Sequence, residues 1–225
     1  MREETSIDSR YPQVLIMTAV QGEKDAVLRG LGGATGFDVC LAGVGPASAA
    51  ARTAAALACG KYDLVISAGI GGGFRERADV GSLVIASEII AADLGVETAE
   101  GFASVDELGF GSARVTVHPH LPHKMLQLLE SSGIPACIGP VVTLSTATGT
   151  ASTTTELARR IPGVAAEAME GYGVAIAAQQ LELPVIEIRA ISNVVGPRQR
   201  DLWKIDDAMK TLERVFAKLP EVLHK

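Results

Sequence analysis

Short apolar runs that alternate with helical stretches constrain the fold of this chain more than any other feature. Residues 14–19, 64–68 and 185–191 are nearly continuous apolar runs, as in strands that are buried on both faces. Between such runs lie helical stretches, for example the Ala-rich residues 47–59, which end at Gly60. This alternation predicts an α/β fold: a three-layer sandwich whose central sheet is mixed, largely parallel and flanked by helices.

The remaining segments complete this pattern. Further strands are predicted at residues 37–42, 82–90, 114–117, 136–144 and 164–168. Further helices are predicted at residues 23–31, 124–131, 156–160, 171–181 and 206–219. Pro220 is expected to stop the last helix. Residues 93–111 are polar and punctuated by glycine, and a connection of that length in a compact domain is typically functional.

The length of the chain suits one sizeable domain and is short for two. Residues 1–10 are polar and predict a flexible leader, which leaves residues 11–225 as a single domain. The leader lacks the apolar core of a signal peptide, and no apolar run is long enough to span a bilayer. We therefore expect a cytoplasmic protein with no membrane partner.

Charge and cysteine content narrow the possible partners. The formal net charge is −6, without the basic stripe that nucleic-acid binding requires. The three cysteines are Cys40, Cys59 and Cys137. Their odd number and wide spacing argue against a disulfide framework and against structural zinc. A small molecule is the expected partner, and no nucleic acid is expected.

Three histidines, His118, His120 and His123, lie close together in the sequence. Prolines separate them and no cysteine joins them, so a strand-to-helix connection is favoured over a metal site. No metal and no cofactor are expected.

Because ligands bind outside the carboxyl ends of strands in such sheets, residues that follow strands are the first candidates for a site. Glu23 follows the first strand and should begin the first helix. A carboxylate there can simply stabilise the helix dipole, or it can take a proton from water at the mouth of the sheet. Glycines at four of the five positions 69–73 follow the third strand, where they predict either a tight turn or a loop that approaches a ligand.

Two later segments carry further candidates. Glu167 and Glu170 lie where a strand gives way to a helix, and charged residues are rarely buried without a reason. In an extended segment the two would point to opposite faces, so one of them is expected to face water. Asn193 ends the last strand and offers both a donor and an acceptor, which suits the edge of a nucleobase; a turn before Gly196 is the alternative.

The order and spacing of these pieces resemble the purine nucleoside phosphorylase and nucleosidase superfamily, on its methylthioadenosine/adenosylhomocysteine nucleosidase side. The resemblance covers nearly the whole chain after residue 11. The matching segments are Ala19-x-x-x-Glu23, Gly43-Val44-Gly45, glycines 69–73, Met169-Glu170-Gly171 and Arg189-Ala190-Ile191-Ser192-Asn193. Residues 93–111 and 193–198 look typical of a branch that acts on a hypoxanthine nucleoside.

The resemblance implies roles for individual residues. Glu23 would activate the attacking water, and Glu170 would hold the ribose hydroxyls, with Met169 packed against the sugar. Gly71 and Gly72 would line the ribose and base. Residues 145–149 would lie near the base; the candidates there are Ser145, Thr148 and Gly149. The relatives complete their sites across a dimer, so a homodimer or higher homo-oligomer is expected, with residues 93–111 at the contact or over the substrate.

One departure from the family pattern concerns the base. The adenine-specific nucleosidases carry Asp where this chain has Asn193. An amide can donate to a 6-oxopurine without repulsion between carboxylate and carbonyl, so Asn193 argues for hypoxanthine as the leaving group and against adenine. Catalysis by Glu23, Glu170 and Asn193 is the resulting hypothesis.

Other functions remain open from the sequence. An adenine-type nucleosidase or a phosphorylase acting on 6-oxopurine nucleosides is the nearest alternative, and Arg75 and Arg77 after the glycines could serve a phosphate site. A non-catalytic nucleotide-binding module is a remoter alternative, which would have no need of both Glu23 and Glu170.

Overall fold

The computed structural model describes residues 12–223. The predicted leader at residues 1–10 lies outside the described residues. Within them, the strands are β1 (Val14–Thr18), β2 (Phe37–Leu41), β3 (Leu64–Gly73), β4 (Leu83–Ala91), β5 (Gly95–Thr98), β6 (Gly101–Ser104), β7 (Arg114–Thr116), β8 (Ala136–Thr143), β9 (Ala166–Ala168) and β10 (Val185–Val194). The helices are α1 (Gln21–Leu31), α2 (Pro46–Cys59), α3 (Val105–Leu108), α4 (Leu121–Ser131), α5 (Ala151–Arg160), α6 (Gly171–Gln179), α7 (Ile205–Phe216) and α8 (Leu219–Leu223), with a 3-10 turn at Arg200–Leu202.

Eight of these strands form one mixed sheet, in the order β10-β4-β8-β9-β3-β1-β2 with β7 beside β4. Five strand pairs are parallel (β1–β2, β1–β3, β10–β3, β4–β8 and β8–β9) and three are antiparallel (β10–β4, β3–β9 and β4–β7). The predicted mixed, largely parallel sheet is therefore confirmed. Because β10 pairs with both β3 and β4, part of the sheet also closes on itself, which the sequence pattern did not predict.

Helices cover both faces of the sheet, as predicted. One core cluster joins α1, α4, α7 and α8 to the sheet through residues such as Ile16, Leu129 and Phe216. A second joins α2 and α6 to it through residues such as Leu57 and Val174. No helix between residues 12 and 223 is long and apolar enough to cross a membrane.

The glycine run differs from its predicted loop. It forms the last five residues of β3, and the final two of them pair with both β9 and β10. A side chain at Gly73 would overlap the backbone carbonyl of Ala78 and contact Ile191 Cγ2 at 2.8 Å. Glycine is therefore needed here because neighbouring segments cross closely, and not because the chain turns.

Three other segments differ in their limits. Helix α5 begins at Ala151 and not at residue 156, because Thr150 caps it by accepting from the Thr153 N–H at 3.2 Å. Helix α7 ends at Phe216, and Pro220 lies near the start of α8, where a missing N–H is tolerated. Residues 93–111 hold the β5–β6 hairpin and α3.

Candidate active site

A cleft of about 270 Å³ opens where β1, β3 and β10 end and β9 meets them. Its lining combines apolar residues with three glutamates and an asparagine. These polar residues are Glu23, Glu167, Glu170 and Asn193. Gly71, Gly72, Thr148 and Met169, which were predicted to bind substrate, also line it. The structure thus brings residues from distant parts of the sequence into one site.

Glu23 lies in the first turn of α1 and is only 3% exposed. Its Oε2 accepts the N–H groups of Ala19 at 2.8 Å and Val20 at 3.2 Å, and its Oε1 accepts the Ile70 N–H at 2.9 Å. Burial raises the pKa of Glu23, although the charge of Arg189 opposes the shift. The carboxylate is therefore fixed by the backbone and made more basic, as a general base requires, and Oε1 keeps acceptor capacity for a water molecule.

Glu170 precedes α6 and is 6% exposed. Its Oε1 accepts the Gly45 N–H at 3.3 Å, and its Oε2 lies 3.4 Å from Arg189 Nη1. The glycine turn at residues 43–45, a weak signal in the sequence, therefore helps to orient a cleft carboxylate. Val44 of the same turn also lines the cleft.

Arg189 on β10 is a functional candidate that the sequence analysis missed. Its guanidinium is almost fully buried and contacts Glu187 Oε1 at 2.8 Å and Ser67 Oγ at 2.9 Å, besides Glu170. Burial lowers the pKa of Arg189, but nearby carboxylates outweigh this effect and raise it above its usual value, so the cation persists. Burial raises the pKa of Glu187 despite Arg189. The sequence does contain a pattern that could have identified Arg189. Glu187 and Arg189 are charged residues two positions apart in an apolar strand, so their side chains share one face of the sheet.

Glycines make room for this charged cluster. A Cβ at Gly69 would lie 2.5 Å from Glu23 Oε1 and 2.7 Å from Arg189 Nη1. A side chain at Gly171 would overlap the carboxylate of Glu187. Since carbon atoms do not approach so closely without displacement, glycine is required at both positions for the cluster to form.

Asn193 lies near the end of β10, partly buried in the cleft. Its Oδ1 accepts the hydroxyl of Ser192 at 2.8 Å, and its Nδ2 donates to the Val194 carbonyl at 3.1 Å. Because an amide nitrogen carries two hydrogens, one N–H remains available to a ligand. Asn193 is thus oriented as a donor within a strand, and the alternative of a turn residue is wrong.

Glu167 and Glu170 both line the cleft, although the sequence predicted that one of them would face water. The prediction assumed an extended segment, but β9 ends at Ala168 and Glu170 has helical backbone angles. Glu167 is 8% exposed and its Oε1 accepts the Thr148 N–H at 2.8 Å. Burial raises the pKa of Glu167, while Thr148 and the charge of Arg198 oppose the shift.

Two residues of the predicted base loop lie outside the cleft lining. Ser145 is exposed, and its backbone N–H donates to Asp93 Oδ2 at 2.6 Å. Gly149 is exposed and leads into the cap of α5. The cleft also gains Arg198, which belongs to residues 193–198 of the resemblance, and Trp203, which the sequence did not single out; the Arg198 guanidinium lies 5.1 Å from the centre of the Trp203 ring.

Other candidates from the sequence lie apart from the cleft. Arg75 and Arg77 line a neighbouring hollow with Phe74 and Thr154. His118 Nδ1 accepts the N–H groups of His120 and Leu121, both at 3.2 Å, at the start of α4. Among the described residues 12–223, no three His, Cys, Asp or Glu side chains are grouped as metal ligands would be.

A mixed sheet that closes in part on itself and a cleft lined by three buried carboxylates define the class of α/β protein to which this chain belongs. A family model described as the Phosphorylase superfamily matches residues 23–225, and the chain belongs to this superfamily. It is 48% identical to the futalosine hydrolase of Streptomyces coelicolor, over 93% of this chain and 96% of that protein. It is 42% identical to the futalosine hydrolase of Acidothermus cellulolyticus, over 91% and 89% of the two chains.

Solved structures show the same fold. The methylthioadenosine/S-adenosylhomocysteine nucleosidase of Colwellia psychrerythraea, in complex with adenine, matches with a TM-score of 0.81 at 25% identity, over 95% of this chain and 96% of that chain. The futalosine hydrolase of Helicobacter pylori matches with a TM-score of 0.76 at 15% identity, over 93% and 96% of the chains. The resemblance found in the sequence is thereby confirmed at the level of the family.

Proposed function

We propose that this protein is a futalosine hydrolase, which cleaves the N-glycosidic bond of futalosine to release hypoxanthine and dehypoxanthine futalosine in menaquinone biosynthesis. The observation that carries the proposal is that Glu23, Glu170 and Asn193, which are far apart in the sequence, line one cleft. The 48% and 42% identity to futalosine hydrolases over nine tenths of the chain supports the choice of substrate.

The mechanism begins with stretching of the bond between ribose C1′ and the base. Positive charge then develops on the sugar ring, as in glycoside hydrolysis. Glu170, oriented by the Gly45 N–H and paired with Arg189, would accept hydrogen bonds from the ribose hydroxyls. A carboxylate at this position also stabilises the charged ring electrostatically.

Glu23 would position water below C1′ and take its proton as the new C–O bond forms. The raised pKa of Glu23 matches this step, because a more basic carboxylate removes a proton more readily. Three backbone N–H groups hold the carboxylate in place before substrate arrives, so little of the binding energy is needed to order it.

Asn193 would assist the departing base. Negative charge accumulates on hypoxanthine as the bond breaks, and the free N–H of the Asn193 amide can donate to N7 or O6. Ser192 fixes the amide by donating to its oxygen. Help to the leaving group would thus come from a hydrogen bond, and the hypoxanthine anion would take a proton from solvent after the bond breaks. Glu23 would return to solvent the proton that it took from the attacking water, which balances the step.

The assay that tests this proposal follows hypoxanthine release from futalosine by the purified protein, first without phosphate and then with it. Release without phosphate, with a free-sugar product by mass spectrometry, supports hydrolysis. A requirement for phosphate would show a phosphorylase. Preferential release of adenine from methylthioadenosine would show an adenine-type nucleosidase.

A further inference from the structure

Glu187 stands out because it is a fully buried carboxylate that the mechanism above does not use. It lies on β10 two residues before Arg189, and its Oε1 accepts the Arg189 Nε–H at 2.8 Å. Within residues 12–223, its Oε2 has no hydrogen-bond partner and lies against Gly171. A buried carboxylate oxygen without a partner costs free energy, and a buried ion pair is weak evidence for stability. The presence of Glu187 is therefore better explained by its effect on Arg189 than by a gain in stability.

The guanidinium of Arg189 is held at two nitrogens by residues outside the lining of the cleft. Besides the contact of Nε with Glu187, Nη2 donates to the Oγ of Ser67, which pairs in register with Glu187 on the adjacent strand β3. Gly69, the next residue on that face of β3, pairs with Arg189 and leaves space for its side chain. The third nitrogen, Nη1, borders Gly69 and lies 3.4 Å from Glu170 Oε2. Only this nitrogen is thus directed to a carboxylate that lines the cleft.

The contact between Arg189 and Glu170 is long for a pair of opposite charges. Hydrogen bonds from a charged N–H to a carboxylate are typically about 2.7–2.9 Å, and arginine commonly binds a carboxylate through two nitrogens. At 3.4 Å and through one nitrogen, Arg189 leaves Glu170 most of its capacity to accept hydrogen bonds. Glu170 needs that capacity if it is to bind ribose hydroxyls.

We infer that Glu187 is a positioning residue: it binds the Nε edge of Arg189, keeps the guanidinium from closing on Glu170, and so leaves Glu170 free for the ribose hydroxyls. This inference deepens the proposed function and rests on it for the role of Glu170. Without Glu187, the Nε–H of Arg189 loses its acceptor. Since a buried N–H group needs a partner, Arg189 should turn toward Glu170 and pair with it through two nitrogens.

The substitution Glu187→Met tests the assignment, with the two products of the reaction as probes. Dehypoxanthine futalosine carries the ribose hydroxyls, whereas hypoxanthine does not. In calorimetry, Glu187→Met should bind dehypoxanthine futalosine about tenfold to a hundredfold more weakly than wild type, the range of one hydrogen bond to a charged group, and should bind hypoxanthine equally well. Weakening of both products by the same factor would overturn the assignment, because a merely structural defect does not discriminate between sugar and base.

A double variant that combines Glu187→Met with Arg189→Met shows whether Arg189 causes the loss. If Arg189 blocks Glu170 in the single variant, removing Arg189 as well should restore most of the affinity for dehypoxanthine futalosine. Apolar residues in place of a buried ion pair are often neutral for stability, so the double variant is expected to fold. Losses that simply add would show that the two residues act independently, which would overturn the inference.

Two further variants provide a control and a replacement. Ile188→Val is the control for a disturbed β10, because Ile188 is buried on the opposite face of the sheet, and neither product should bind differently. If Glu187→Met does not fold, Ser67→Ala decides, because it frees the Nη2 of Arg189. Selective weakening of dehypoxanthine futalosine in Ser67→Ala supports the inference, and unchanged binding overturns it.

Failure of this inference and failure of the proposed function give different results. If the wild-type protein releases adenine from methylthioadenosine and leaves futalosine intact, the proposed function fails. Methylthioribose and adenine then replace the two probes, and selective loss of methylthioribose binding in Glu187→Met supports the role of Glu187. If futalosine is hydrolysed and folded Glu187→Met keeps wild-type affinity for dehypoxanthine futalosine, the role of Glu187 fails alone. A wild-type protein that binds neither sugar product would also overturn that role.

Discussion

Arg189 Nη1 lies 3.4 Å from Glu170 Oε2, so the carboxylate assigned to the ribose is paired with a cation that is itself buried in the sheet. The same cation opposes the burial that raises the pKa of Glu23, and it donates to Glu187. One positive charge is therefore shared by three buried carboxylates. The charge state of Glu23 therefore depends in part on a residue that lies outside the lining of the cleft.

Replacing Arg189 with Met should affect both stability and the pH profile. Removing one partner of a buried ion pair costs about 3–5 kcal/mol of unfolding free energy, which chemical denaturation measures. Without the cation, the pKa of Glu23 should rise further, because the charge that opposes its burial is gone. The acid limb of kcat/KM should move to higher pH.

Arg189→Lys is the control for that prediction. It keeps a positive charge but lacks the planar group that contacts Glu187 and Ser67 together. The acid limb of the kcat/KM profile should therefore move less in Arg189→Lys than in Arg189→Met. A profile unchanged in the Met variant would show that Arg189 does not tune Glu23.

Glu23→Gln should lose most hydrolysis of futalosine, by a factor on the order of 10²–10⁴, because the amide cannot take a proton from water. Hypoxanthine should still bind with wild-type affinity, because Glu23 is assigned to the attacking water and does not contact the base in the proposed mechanism. Glu213→Gln, on an exposed carboxylate paired with Arg29, serves as the control. Normal turnover in Glu23→Gln would remove the residue from the proposed catalytic role.

The pH dependence of the wild-type enzyme follows from the same residue. Burial raises the pKa of Glu23 above that of an exposed glutamate, and the reaction needs the ionised form. As pH falls, kcat/KM should therefore begin to drop at a higher pH than an exposed glutamate would give. A profile that stays flat down to pH values near 4.5 would contradict this assignment.

Asn193→Asp should shift preference from hypoxanthine toward adenine nucleosides. The carboxylate loses the N–H that Asn193 can offer to a 6-oxopurine and would face the O6 carbonyl instead. When protonated, the same carboxyl can donate to N7 of adenine. The ratio of kcat/KM for futalosine and methylthioadenosine measures the shift, and an unchanged ratio would count against the proposed contact with the base.

The sequence was sufficient for the fold class and for the position of three cleft residues. Strands buried on both faces read as apolar runs, and the residues that follow them must meet at one edge of the sheet, which is how Glu23 and Asn193 could be singled out. Their chemical roles stay predictions. The same local pattern could not show that β10 closes the sheet, because pairing between distant strands leaves no mark on either strand alone.

Long-range contacts also explain what was missed in the cleft. Glycine has a low strand propensity, so residues 69–73 suggested a loop, but the reason for glycine lies in Arg189 and in the crossing strands. Likewise, the direction of the Glu167 side chain was predicted from local strand periodicity. In the structure, that direction is set by strand pairing with Gly72 and by the hydrogen bond from the Thr148 N–H. Such cases depend on partners that no short window of sequence contains.

Phe110 should take part in a contact between subunits. Its side chain is 81% exposed, and Leu94 and Val96 of the same segment, residues 93–111, are also exposed. Exposed apolar residues grouped in this way are typical of protein interfaces. Phe110→Ser should lower the mass measured by light scattering from that of a homo-oligomer, and Leu181→Ser, at an exposed leucine elsewhere, should not. A wild-type protein that is monomeric at micromolar concentration would refute this expectation.

Gly69→Ala should reduce activity more than stability. The added Cβ would lie 2.5 Å from Glu23 Oε1 and 2.7 Å from Arg189 Nη1, so one or both groups must move. Displacement of about 1 Å in a positioned group can cost roughly a hundredfold in rate. Gly22→Ala, in α1, is the matched control, because its Cβ would meet only Met209 Cε at 3.8 Å and should add about 0.5–1 kcal/mol of stability. If both variants keep full hydrolysis of futalosine, the contact between Gly69, Glu23 and Arg189 does not constrain the site.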